Sequence, residues 1–75
     1  MRATGRIAMF AADGAGRRRG YGFIDVDGRQ EIGRAFFAAS ECGEDFAGLA
    51  VGDNVIFDLL LDAPRGVRAV GVRRA

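Results

Sequence analysis

The stretch Arg17–Ile24, RRRGYGFI, is the most informative part of this sequence. As a β-strand it places Arg19, Tyr21 and Phe23 on one face, because side chains alternate between the two faces of a strand. Its two glycines keep the strand slim, so that it can pack closely against its neighbours. Two rings side by side on a sheet form a surface for flat ligands. The alternative is an ordinary strand in which both rings are buried.

The same stretch fits the first five positions of an aromatic nucleic-acid-binding signature, K/R-G-F/Y-G/A-F. A base stacked on an aromatic ring gains roughly 1–3 kcal/mol, whatever its identity. We therefore interpret Tyr21 and Phe23 as base-stacking residues. The preceding arginines, Arg17, Arg18 and Arg19, are predicted to contact phosphates, since arginine offers a planar fork of donors. The alternative for this run is a solvated loop that aids solubility.

Composition limits the other functions open to the chain. Seventy-five residues make one domain, and we expect a core over residues 3–73 with short frayed termini. Cys42 is the one cysteine and there is no histidine, which excludes an internal disulfide and argues against a zinc site or any other cofactor. The first twelve residues hold no apolar run typical of a signal peptide or membrane span, so a reduced, cytoplasmic location is expected.

Net charge is +1, which does not by itself indicate a nucleic-acid ligand. The charge is unevenly distributed, however. Residues 1–39 carry +3 and residues 40–75 carry −2, and all eleven basic residues are arginine. The amino-terminal half is therefore the better candidate for contacts with phosphates.

Alternating apolar residues and turn signals predict five short strands and no long helix. Their predicted bounds are Thr4–Ala11, about Gly20–Val26, about Glu31–Ala38, Val55–Leu61 and Val67–Val72. In the first strand Ile7 and Met9 share a face while Phe10 takes the other, and this imperfect alternation predicts a bulge or twist.

The third segment has two interpretations. Arg34–Cys42 followed by Gly43 is compatible with a short helix and a glycine cap. Nine residues are few for a stable helix, and Phe36 and Phe37 suit opposite faces of a strand. We prefer a strand to Ala38, then a turn over Ser40–Gly43.

Turns and loops connect these segments. Asp27-Gly28 predicts a hairpin, and Asp62–Gly66 predicts a turn before the last strand. Phe46 and Leu49 are expected to anchor the polar segment between the third and fourth strands to the core. Arg73–Ala75 is expected to be a frayed tail.

Five strands of this length and spacing match an all-β, five-stranded antiparallel Greek-key barrel of the OB type. In the fourth strand Ile56 and Leu60 fall on the outward face. We expect them to pack under a loop in a monomer, with a dimer contact as the alternative. A recognition-motif domain also uses the aromatic signature, but this chain lacks the two amphipathic helices it requires.

Taken together, these residues resemble a bacterial cold-shock domain over nearly the whole chain. The segments that carry the resemblance are Thr4–Ile7 with Phe10, Arg19–Ile24, Ala35–Ser40, Leu49–Phe57 and Arg65–Val72. Arg19–Ile24 is similar to the family's first RNA-binding motif, and Ala35–Ser40 to a degenerate form of its second.

The resemblance implies a set of nucleic-acid-binding residues. Base stacking is implied for Tyr21, Phe23 and Phe36, contacts at the edges for Phe10 and Phe46, and the basic positions for Arg6 and Arg19. It also implies a binder of single-stranded RNA or DNA, acting as a cold-shock-like regulator or RNA chaperone.

Several family positions differ here. Met9 replaces a tryptophan, and Ala38 and Ala39 replace a histidine and a phenylalanine, which predicts weaker or differently selective binding. Met9 still offers a polarizable contact to a base. An alternative register from Glu31 would put Gly33 at the stacking position, and we prefer the register that keeps Phe36.

Two other classes of function are alternatives to nucleic-acid binding. One is a protein-interaction module of the OB type that has lost most of its nucleic-acid contacts. The other is an enzyme, with Asp25 and Asp27 as paired carboxylates. These are better explained as turn residues, so no catalysis is expected.

Overall fold

The computed structural model describes residues 1–62 and 66–75, which form five β-strands closed into a barrel. The strands are β1 Arg2–Ala12, β2 Arg18–Val26, β3 Arg34–Ala38, β4 Asn54–Asp62 and β5 Gly66–Arg74. Their order around the barrel is β1-β2-β3-β5-β4, and β4 pairs with β1 to close it. The predicted five-stranded barrel of the OB type is confirmed. The middle of the turn predicted over Asp62–Gly66 lies outside the described residues.

A bulge in β1 sets which side chains enter the core. Ile7 pairs with Ile24 of β2, but the next pair joins Met9 to Phe23, so the register shifts between them. As a result Ile7 and Phe10 face inward, whereas Met9 faces outward and is 39% exposed. The predicted bulge is confirmed. The expectation that Ile7 and Met9 share a face is wrong, because strict alternation fails across the bulge.

β3 is shorter than predicted. The chain turns over Arg29–Ile32, where the Ile32 N–H donates to the Arg29 carbonyl at 3.0 Å, and Gly33 has a φ of +72°. The strand therefore begins at Arg34 and not at Glu31. The strand ends at Ala38 as predicted. A 3₁₀ helix over Ala39–Cys42 follows it, where a turn over Ser40–Gly43 is predicted.

The barrel interior is filled by aliphatic and aromatic side chains from all five strands. Phe36 and Phe37 lie on opposite faces of β3 as predicted, and Phe37 is fully buried. Leu49 is buried and Phe46 packs against the core, so both predicted anchors are confirmed. The fully buried side chains are Phe37, Phe57, Ile7, Ile24, Leu49, Val55 and Val72.

The last two strands depart from simple alternation at their ends. Val55, Phe57 and Leu59 are buried as expected, but Leu61 is 70% exposed. In β5 a register shift opposite β4 and a φ of +61° at Gly71 mark a bulge.

The carboxyl terminus is also more ordered than expected, because Arg73 and Arg74 belong to β5 and are not a frayed tail. The Arg74 guanidinium donates to the Gly48 carbonyl at 2.5 Å and to Asp53 at 3.2 Å.

Gly22 permits a close approach between β1, β2 and the core ring of Phe37. A Cβ at this position would lie 2.5 Å from the Met9 carbonyl oxygen and 2.9 Å from the Phe37 ring. We expect Gly22→Ala to lower the free energy of unfolding by about 1–3 kcal/mol, because neither the backbone nor the buried ring can move freely. Gly14→Ala is the matched control, since a Cβ there meets nothing within 4 Å. Equal stability of the two variants in urea titrations would contradict this account of Gly22.

Burial raises the pKa of the Cys42 thiol to about 11, and the carboxylates of Asp45 and Glu41 add to the rise. In the unfolded chain the thiol loses its proton near pH 8.5. Between this pH and the pKa of the folded thiol, the folded state therefore keeps the proton while the unfolded state loses it. We expect stability to fall by roughly 1–2 kcal/mol between about pH 8.5 and pH 10.5. Cys42→Ala should show a smaller fall in urea titrations across this range. Parallel pH profiles for the two proteins would disprove the assignment.

Candidate nucleic-acid interface

Three rings form a cluster on the outer face of β2 and β3. Alternation along β2 turns Gly22 and Ile24 inward, so Tyr21 and Phe23 point outward. Phe23 pairs directly with Phe36 of β3, and Tyr21 pairs with Ala38. We call Tyr21, Phe23 and Phe36 the aromatic platform.

The rings of the aromatic platform touch one another. The Tyr21 and Phe36 centroids are 5.5 Å apart with their planes tilted by 33°. Phe23 lies edge-on to both, at 6.3 Å from Tyr21 and 6.1 Å from Phe36. These are favourable distances for aromatic pairs, so the rings hold one another in place while each stays partly exposed.

Other outward-facing residues of β1, β2 and β3 lie next to the aromatic platform. Met9 lies beside Phe23 in the ladder. One step further along, Arg6 of β1, Asp25 of β2 and Arg34 of β3 form a second row across the same face. The Arg34 guanidinium contacts the Asp25 carboxylate at 3.1 Å. The aromatic platform is therefore bordered by two arginines and one carboxylate. Of these three residues, the sequence analysis predicts only Arg6 as a binding residue.

Phe10 and Phe46 lie elsewhere. Both rings pack against the core, in contact with each other at 5.4 Å and each about 6 Å from Phe37. They were expected at the edges of the stacking surface. The β1 bulge turns Phe10 inward, and the two rings form a separate cluster between the barrel and the segment that follows β3.

Arg18 holds that second cluster together. Its guanidinium lies 3.7 Å from the centre of the Phe10 ring and donates to the carbonyls of Phe46 at 2.8 Å and Leu49 at 2.6 Å. Arg18 was predicted to contact phosphate, but in this structure its donors bind the protein's own backbone. The sequence could not show this, because the partner carbonyls are about thirty residues away.

The other two arginines of the run are exposed. Arg17 lies in the loop before β2, 3.5 Å from the Asp13 carboxylate. Arg19 lies within β2, two residues before Tyr21. Both remain candidates for phosphate contacts.

Neither a metal cluster nor a membrane-spanning helix is found in the described ranges. No three His, Cys, Asp or Glu side chains within residues 1–62 and 66–75 are placed to bind an ion. No helix among those same residues is long and apolar enough to cross a membrane.

The barrel has the fold of a cold-shock domain. A solved structure that resembles it is that of Drosophila Unr CSD456, with a TM-score of 0.75 and 23% sequence identity. The match covers 100% of this chain and 27% of that chain, so this protein spans about a quarter of its length. No protein-family model and no curated protein matches the sequence. At this identity the likeness establishes the fold, and it confirms the cold-shock-like architecture that the sequence resemblance implies.

The structure also distinguishes between the two registers considered for the second motif. Phe36 lies opposite Phe23, whereas Gly33 precedes β3 and takes no part in the ladder. Strands β2 and β3 therefore adopt the register that keeps Phe36 at the stacking position.

We expect Arg18→Ala to lower the free energy of unfolding by about 1–2 kcal/mol, because two charge-assisted hydrogen bonds and a cation–π contact are lost. Arg17→Ala is the matched control, since an exposed ion pair contributes little. Urea titrations of both variants make the comparison. If both variants kept full stability, the structural role of Arg18 would be refuted.

Proposed function

We propose that this protein binds single-stranded nucleic acid by stacking bases on the aromatic platform. The observation that carries the proposal is the clustering of Tyr21, Phe23 and Phe36 on the outer face of the barrel. Rings that served only to fill the core would lie inside the barrel. The three rings contact one another and stay partly exposed. They present π-faces to any base that is not already paired.

Single strands are the expected ligand because the rings need unpaired bases. In a duplex the faces of the bases are covered by their neighbours, and only an open strand can lay them on a protein ring. By binding the open form alone, the protein would keep transcripts unpaired through mass action. This is the basis for proposing an RNA-chaperone or regulatory role.

Phosphate contacts would come from the arginines around the platform. Arg6 and Arg34 flank Asp25 at one end, and Arg19 lies two residues before Tyr21. The carboxylate offsets part of this charge, and the net charge of the chain is only +1. We therefore expect moderate affinity, with stacking supplying a larger share of it than charge.

Two positions beside the rings also favour weak binding, because they carry no aromatic side chain. Ala38 lies beside Tyr21 in the ladder, and Met9 lies beside Phe23. Each position that lacks a ring forgoes roughly 1 kcal/mol or more of stacking. Met9 recovers part of this through its exposed thioether.

Tyr21 supplies a built-in probe, because the chain has one tyrosine and no tryptophan. We expect heptathymidine to quench Tyr21 fluorescence, since a base stacks against the ring. Phe23→Leu and Phe36→Leu keep an apolar side chain but lose the ring, and each should raise the dissociation constant about fivefold or more. The control is Val51→Ala, which truncates an exposed apolar side chain away from the platform.

No binding by the wild-type protein at about millimolar concentration would overturn the proposal. Equal affinity of the two leucine variants and the control would show that the rings are not the binding surface. A folded wild-type protein that does not bind would favour the protein-interaction module as its function.

Salt dependence provides an independent arm of the same titration. The logarithm of affinity should fall linearly with the logarithm of salt concentration, by about 0.7 for each phosphate contact. Arg6→Ala should reduce this slope by about 0.7, whereas Arg73→Ala, on another part of the barrel, should leave it unchanged. Identical slopes for both variants would exclude Arg6 from the phosphate contacts.

We propose that the protein acts as a monomer. Ile56 is partly buried in a depression beside Arg2 and Arg73, and four residues on, Leu60 lies next to Arg68 in the β4–β5 ladder. Between them on the same face of β4 lies the exposed Asp58, which interrupts the apolar surface.

A further inference from the structure

A groove opens where β3 meets β5, next to the aromatic platform. These two strands run parallel, and in the described part of the chain one residue pair joins them, Phe36 with Arg68. The groove has a volume of about 110 Å³. Its walls include Phe36, Ala38, Ser40, Glu41 and Arg68.

The groove continues the line of the platform. Met9, Phe23, Phe36 and Arg68 are successive partners across β1, β2, β3 and β5. A strand of nucleic acid that crosses the platform in this direction reaches the groove directly after Phe36. Since Phe36 belongs to both, a base in the groove would lie against the same ring that supports its neighbour.

The polar groups of the groove differ from those of the platform. The 3₁₀ helix after β3 brings Glu41 to β5, where its Oε1 accepts the Gly71 N–H at 3.0 Å. This bond fixes the side chain against the Gly71 bulge. Glu41 has a second carboxylate oxygen, and an ionised carboxylate can only accept hydrogen bonds. The groove therefore combines an aromatic wall with an anchored acceptor.

We propose that this groove is a base-selective subsite, in which Glu41 accepts a hydrogen bond from the exocyclic amino group of a base. The inference rests on the proposed function, since a base must first reach Phe36. A cytosine presents its N4 amino group as a donor, and carboxylates are suited to accept from it. Thymine and uracil present a carbonyl oxygen at the same position, which leaves two acceptors facing each other without a proton.

The test compares heptacytidine with heptathymidine, using the fluorescence of Tyr21. Both are pyrimidine oligomers, which differ at the hydrogen-bonding edge and in the C5 methyl group of thymine. The Glu41→Gln variant isolates the edge, because it changes the hydrogen-bonding group of the protein and not the methyl group of the ligand. Wild-type protein should bind heptacytidine about fivefold or more tightly than heptathymidine. In Glu41→Gln the amide oxygen can still accept from Gly71, but the amide nitrogen becomes a donor. The preference should therefore disappear or reverse toward heptathymidine.

The matched control is Glu44→Gln, which removes the same charge three residues away on a side chain that does not line this groove. It should keep the wild-type preference. The same ratio of affinities in wild type, Glu41→Gln and Glu44→Gln would overturn the subsite while leaving platform binding intact. Failure of both oligomers to bind wild-type protein would overturn the proposed function and the subsite together.

Discussion

The missing side chain at Gly22 is the constraint on which the platform depends. Any Cβ there would overlap the Met9 carbonyl and the Phe37 ring, so β1, β2 and the core ring can approach closely only around a glycine. Because Gly22 faces the interior, alternation turns Tyr21 and Phe23 to the outside. The same residue thus admits Phe37 to the core and directs two other rings to the outer face of the barrel.

Arginine has two distinct roles in this protein. Arg18 and Arg74 donate to backbone carbonyls at Phe46, Gly48 and Leu49, and so hold the segment between β3 and β4 against the barrel. Arg6 and Arg34 instead border the platform on its outer face. Net charge therefore says little about ligand binding here, because the guanidiniums of Arg18 and Arg74 bind the protein's own carbonyls.

Much of the fold and the centre of the candidate site were predictable from sequence. Period-two alternation and turn residues identify the five strands, and the spacing of Tyr21 and Phe23 places them on one face. The interpretation failed where the outcome depends on tertiary contacts. The bulges in β1 and at Gly71 change which residues face inward, and no local pattern shows where they fall. Likewise the run of arginines cannot reveal that Arg18 meets carbonyls from a distant segment.

The junction of β3 and β5 has a consequence for how the barrel moves. Other neighbouring strands share several residue pairs, but in the described chain this junction has the Phe36–Arg68 pair, supplemented by the bond from Gly71 to Glu41. With one residue pair between these strands in the described chain, we expect the closed sheet to open there at a lower cost in free energy than at its other junctions. A polymer lying across both strands would brace the seam, and amide protons beside it would then exchange more slowly with solvent. Binding on the outer surface and opening of the barrel would in this way be coupled through one pair of strands.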